Sequence, residues 1–326
     1  MMKDQEQNNA DAADNHSAVN LEMTGPDRKP DLKTILRFYI IVFIFLLFFA
    51  PFLQTWNFEF GMILTQVVFI LLPALWFWRR YRVNQVAYAR LYPLQVRFIP
   101  AIILLSASMW LLNIVFATGL VSGLMELGFE PVVAIEPPQS FQQYLIYIII
   151  LSVFAGICEE VFFRGTIMPA MEGYGLVPAI VLSSLLFALF HGSFLSLIST
   201  FVLGVVIAVI VIKTNSLWGG ILYHMLNNFY AATFLYLAGQ YETVADVEPE
   251  GYWVFLPLLI ISLAGTYFGL RLLHKHSSSA PLLRNRKNWL PHGWLSWPLL
   301  AGLGLFLIMA MLELAIGFNW LNLAGL

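Results

Sequence analysis

An all-α, polytopic membrane bundle of about eight or nine transmembrane helices is the fold that this sequence predicts, and three observations predict it. Of its 326 residues, 60% are hydrophobic and only 11% charged, with a mean hydropathy of +0.77. Soluble domains carry about 25% charged residues, so most of the chain must sit where charge is costly. Apolar stretches near the ~20 residues needed to cross a bilayer recur along the whole length. Finally, when those stretches are threaded as alternating crossings, every Lys and Arg falls on one side.

The stretches run at about 35–54, 59–78, 98–120, 142–172, 177–195, 196–213, 216–238, 251–273 and 296–317. Two crossings between 177 and 213 are cramped, which makes one of them a candidate for a short or re-entrant helix. The side that holds the N-terminus collects Lys3, Arg28, Lys29, Lys33 and Arg37, then Arg79, Arg80, Arg82, Arg90 and Arg97, then Arg164, Lys213, Arg271, Lys275, Arg284, Arg286 and Lys287, all 17 cations of the chain. The opposite loops carry only acids: Glu59, then Glu126, Glu130 and Glu136, then Glu242, Asp246, Glu248 and Glu250. The positive-inside rule makes the basic side cytoplasmic, so an N-in, C-out topology in a bacterial cytoplasmic membrane is expected.

Four regions follow. Residues 1–33, polar and without a basic start or an apolar core, read as a disordered cytoplasmic tail rather than a signal peptide. Residues 34–140 hold the first helices, 141–240 a core with the polar motifs, and 241–326 the last helices, with Trp289, Trp294 and Trp297 as an interfacial anchor. Cys158, the single cysteine, excludes an internal disulfide and reads as a small buried thiol. A net charge of −2 argues against a nucleic-acid partner.

Three polar clusters interrupt the apolar core region: Glu159-Glu160 with Arg164, His191 four residues after Phe187, and His224 four residues before Asn228. Ionisable groups in hydrocarbon cost several kcal/mol unless paired, so they mark sites of function. The fourth stretch would span about 46 Å as a helix and must tilt or protrude. Gly173-Tyr174-Gly175 and Pro178 turn it back on the fifth. Glu159 and His191 each lie 16 residues from position 175, so an antiparallel hairpin places them at one depth. His224 lies about 12 Å inward from Ser216, in the same half of the membrane.

Glu160 and Arg164 are spaced for an intrahelical ion pair, the acid leading, which gives Glu160 a structural role. Glu159 faces elsewhere and is left as a proton acceptor. His224 and Asn228 share a helix face and can point together at a carbonyl; Asn227 is nearly as well placed. Glu159, His191 and His224 could hold Zn²⁺ with an open position for water. Without metal, Glu159 and His191 could activate water while His224 and Asn228 stabilise an oxyanion. Spacing does not choose. Each cluster has a plainer meaning as polar glue between helices, and Glu313, inside the last stretch, has no role that the sequence assigns.

Glu159-Glu160-Val161-Phe162-Phe163-Arg164, Phe187-Ala188-Leu189-Phe190-His191 and His224-Met225-Leu226-Asn227-Asn228 together resemble the type II CAAX prenyl protease and bacteriocin-processing family of intramembrane proteases, also called CPBP or Abi. The resemblance covers roughly 140–238. It implies that Glu159 and His191 activate a water, that His224 and Asn228 stabilise the tetrahedral oxyanion, and that Glu160 with Arg164 supports the site. It also implies a hydrophobic or lipidated peptide as substrate, membrane lipid as surroundings, and either a metallo- or a glutamate-type endopeptidase. The sequence lacks a His-Glu-x-x-His helix, so the metal stays open. A noncatalytic scaffold or immunity protein and a proton-coupled transporter are the other readings; no internal repeat supports the latter.

Overall fold

The structure is a computed structural model that describes residues 30–131, 135–240, 253, 255–277 and 295–321. The tail 1–29, the acidic loop residues 242, 246, 248 and 250, and Trp289 and Trp294 lie outside the described residues. Within them the chain forms nine long helices: α1 Leu32–Trp56, α2 Phe58–Arg80, α3 Val96–Met125, α4 Phe141–Tyr174, α5 Leu176–Phe190, α6 Leu197–Thr214, α7 Leu217–Gly239, α8 Phe255–His276 and α9 Trp297–Gly317. No strand occurs among the described residues.

Seven of these helices are long and apolar enough to cross a membrane, so the protein is an integral multi-pass membrane protein. The other two are α5, with 15 residues, and α7. Both differences have local causes. His191 and Gly192 end α5 five residues earlier than hydropathy alone suggests, because Gly192 takes a φ of +65° that side-chain-bearing residues avoid. In α7 the hydropathy is diluted by His224, Asn227 and Asn228.

Helix starts are set by short polar side chains. Asp31 Oδ1 accepts from the Thr34 N–H at 2.8 Å, Asn57 Oδ1 from Phe60 at 2.8 Å, and Ser140 Oγ from Gln143 at 3.1 Å, each satisfying an orphan donor of the first turn. The caps hold the Asp31 carboxyl below the ordinary aspartate value, through the Thr34 side chain first and its backbone second.

Burial ranks the helices. In the most apolar window of α4, 56% of residues are buried, against 17% in α8 and 22% in α9, which places α4 at the centre and the last two helices at the rim. Aromatic side chains such as Phe48, Phe52 and Trp56 stand out from the bundle, the surface a hydrocarbon solvent favours. α7 packs against α3 and α4, α5 pairs with α6, and α3 with α8.

One end of the bundle is latched by the segment between α2 and α3. Arg90 grips Glu172 with two bonds of 2.6 and 2.7 Å, its carbonyl accepts from the Leu217 N–H at 2.8 Å, and the Tyr92 carbonyl accepts from Ser216 Oγ at 2.7 Å. Three chain reversals are thereby tied together. At the opposite end the Glu130 N–H donates to the Gly317 carbonyl at 2.7 Å, and Gln143 reaches Glu59 at 3.5 Å.

Candidate active site

α4 is not a regular α-helix. Residues Ile148–Phe154 and Phe163–Ile167 are wound as π-helix on either side of the regular turns Ala155–Phe162 that carry the two glutamates. π-Helical turns are rare and recur at functional sites. Partners outside the helix take up the polar groups they displace. Asn228 Nδ2 donates to the Leu151 carbonyl at 2.8 Å, and Ser152 Oγ to the Met225 carbonyl at 2.7 Å. In the second stretch Trp78 Nε1 donates to the Gly165 carbonyl at 3.1 Å and the Tyr88 hydroxyl to the Thr166 carbonyl at 2.9 Å. Burial, then the neighbouring Glu172 carboxylate, push the Tyr88 phenol up, which keeps it a donor.

Glu160 is the hub. Its Oε1 accepts from Arg164 Nη1 at 3.0 Å and from His224 Nδ1 at 2.8 Å, with all three side chains almost fully buried. Arg164 spends Nη2 on the Gly204 carbonyl at 3.0 Å and lies 4.5 Å from the Phe187 ring centroid, so its charge is met by a carboxylate, a carbonyl and a π face. Gly204 keeps this approach open, since a Cβ would lie 3.0 Å from Ser184 Cβ and 3.1 Å from Arg164 Nη2 and crowd both. Gly156 does the same for α7: its Cβ would press on Met225 Cγ at 2.7 Å. Small residues of this kind let membrane helices approach closely.

Glu159 points the other way. Its Oε1 accepts from Gln66 Nε2 on α2 at 2.9 Å, and its buried Oε2 has no hydrogen-bond partner among the described residues and lies 4.0 Å from His224 Nε2. The two adjacent carboxyls therefore occupy different environments. Both keep Oε2 without a hydrogen-bond partner, but Glu160 Oε1 is tied to a cation and an imidazole, whereas Glu159 Oε1 is bound by a neutral amide and its Oε2 faces His224 Nε2.

The sequence-derived residues divide into two groups. Glu159, Glu160, Arg164 and His224 converge, as drawn above. His191 is the C-cap of α5 and is exposed; its Nδ1 lies 2.8 Å from the carbonyl of Phe187, which can only accept, so Nδ1 carries the proton and Nε2 is the free acceptor in the neutral ring. Among the described residues no hydrogen bond or ion pair joins His191 to Glu159. Phe187 instead contacts both imidazoles, its ring lying 4.8 Å from that of His191 and 5.8 Å from that of His224. Asn228 is half-buried on the face of α7 that carries His224, with its amide engaged by Leu151 and its carbonyl accepting from Asn227 Nδ2 at 3.3 Å. Cys158 is buried and free.

A zinc site built from Glu159, His191 and His224 was one chemistry open to the spacing. Among the described residues no three His, Cys, Asp or Glu side chains are arranged to hold a metal ion. His224 turns Nδ1 to Glu160, and His191 turns Nδ1 to the Phe187 carbonyl with no bond to Glu159, so the trio as placed does not form a ligand set. Gln66 is the site residue that sequence reading misses. It lies 93 residues from Glu159, and only its position as a buried amide in an apolar stretch could have flagged it.

Residues 141–230 match the family model Type II CAAX prenyl endopeptidase Rce1-like. The chain carries a domain of this family. The CAAX-protease domain runs from the start of α4 to within α7 and contains both glutamates, Arg164, both histidines and Asn228. Gln66 lies before it and α8 and α9 after it. No curated protein and no solved structure matches the chain.

Proposed function

We propose that this protein is an intramembrane endopeptidase that cleaves a hydrophobic or lipidated peptide, of the prenylated CAAX or bacteriocin-like type. The observation that carries the reading is the pair of adjacent buried carboxyls with unequal partners. Environments that separate two titratable groups assign acid and base roles. Glu159, oriented by Gln66, takes a proton from water through its uncommitted oxygen as the water oxygen bonds to the scissile carbonyl carbon. It then returns that proton to the leaving amine as the C–N bond breaks.

His191 assists through Nε2 when the peptide brings the exposed side of the site into play. His224, held through Nδ1 by Glu160 and through it by Arg164, as the imidazolium meets through Nε2–H the negative charge that develops on the carbonyl oxygen. Asn228 spends one amide hydrogen on Leu151 and keeps a second for the same oxygen. The bundle end that carries the cations faces the cytoplasm, and the host membrane is a bacterial inner membrane.

The test is cleavage of a farnesylated peptide ending in a CAAX tetrapeptide by the full-length protein in liposomes. Glu159→Gln is expected to lower kcat by roughly 10²- to 10⁴-fold, the usual worth of a general base, while leaving the melting temperature within a few degrees of wild type. Wild-type turnover by that variant refutes the role of Glu159.

A further inference from the structure

α9 is apolar throughout except for one ionisable residue, Glu313. A carboxyl in such a helix is costly unless it is partnered, and partners tend to reveal its task. Here they are found on the turn between α5 and α6. Ser193 Oγ donates to Glu313 Oε1 at 2.8 Å and the Phe194 N–H donates to Oε2 at 2.5 Å.

That turn is the one His191 begins. Gly192 follows with its positive φ, and the Cβ of any other residue there would run into the Met309 side chain of α9. Ser193 Oγ also accepts from the Ser196 N–H at 3.3 Å, so the first turn of α6 is held from the same point. The start of α9 meets the middle of α5, where Leu299 shares a small cavity with Leu182 and Leu186. Higher up, Phe306 and Ala310 pack on Leu189. α9 thus lies along the second half of α5 and closes over its end.

His191 has little else to fix it. Its ring is exposed, its one hydrogen bond returns to its own helix, and Phe187 is its ring contact. We propose that Glu313 is a positioning residue for His191: its two oxygens hold Ser193 and Phe194, and so set the turn from which the imidazole projects. A helix outside the matched domain thereby completes that domain's site. The proposal rests on the reading of His191 as part of the reacting centre.

The experiment uses the full-length protein in liposomes, with ring-¹³C-labelled histidines observed by NMR and assigned with His191→Gln and His224→Gln, alongside turnover of the farnesylated CAAX peptide. In Glu313→Leu, kcat should fall by roughly 10- to 100-fold with KM unchanged, the scale of a reacting group displaced by up to about 1 Å. The His191 resonance should move while that of His224 stays. Glu313→Gln should keep kcat within about threefold, because its amide can accept from Phe194 and donate to Ser193 Oγ.

A stationary His191 resonance in Glu313→Leu overturns the proposal, and so do both histidines moving together, which marks a general structural role. Should Glu313→Leu fail to fold, Ser193→Ala removes one of the two bonds and must shift His191 in the same sense. A wild-type protein that cleaves no peptide sinks the protease reading, and the resonances alone then decide the clamp.

Discussion

The two halves of the site are built on opposite terms. Around Glu160, polar groups are buried and bound to one another: Arg164, His224 and the Gly204 carbonyl close a network drawn from α4, α6 and α7. Around His191 the side chain is exposed, and the turn that carries it is held from outside by α9. A buried network of bound charges fixes one geometry because a departure strands one of them. An exposed imidazole on a short turn can shift without such a loss. The pairing suits a hydrolase in which one set of groups must stay preorganised and another must admit a bulky peptide.

The largest expected effect strikes the buried half. Arg164→Leu leaves Glu160 without its cation and should destabilise the protein by about 3–5 kcal/mol; His191→Gln, an exposed change, should alter stability by no more than about 0.5 kcal/mol. Reversible unfolding in mixed micelles measures both, and similar losses from the two variants would erase the contrast drawn here. Adding Glu160→Gln to Arg164→Leu should recover part of the stability, since the stranded carboxylate is then gone.

Gln66→Leu comes next. It removes the donor to Glu159 Oε1 from a buried position and should cost about 1–3 kcal/mol of interaction with that carboxyl. The expected signature is a lower kcat at constant KM on the farnesylated peptide, with a pH–rate profile displaced relative to wild type. An unchanged profile would remove Gln66 from the site.

The smallest effect belongs to a region remote from both halves. Asp31→Ala removes the cap of α1 and should cost about 1 kcal/mol near neutral pH. Because the folded Asp31 carboxyl is held below its ordinary value of 3.8, its contribution is complete above that value and is lost as pH falls through the folded one. The difference between wild type and variant should therefore shrink in acid, while peptide turnover at neutral pH stays the same. A large activity loss would show that α1 couples to the site.

Much of the helical layout was legible from hydropathy, and the stretch limits agree with the helices to within four residues except at the ends of α3 and α5, each five residues from the expected limit. The Glu160–Arg164 pair was legible as well, because partners four apart on one helix are set by local geometry. The convergence of Glu159 and His224 could be approached by counting depth along each helix. Counting treats helices as uniform, and the two π-wound stretches of α4 break that assumption. It gives depth but not azimuth, so it could not tell that His191 would bond back to its own helix and touch Phe187 rather than bond Glu159.

Sequence alone determined that this chain lives in a bilayer and where its costly polar groups lie, because the free energy of moving a residue into hydrocarbon depends chiefly on its own chemistry and its near neighbours. Tertiary structure decided which of those groups would meet. That choice depends on the rotation and close approach of helices far apart in the chain, through Gln66 to Glu159, His224 to Glu160 and Glu313 to the turn after His191, and none of these pairings leaves a periodic mark in the residues between.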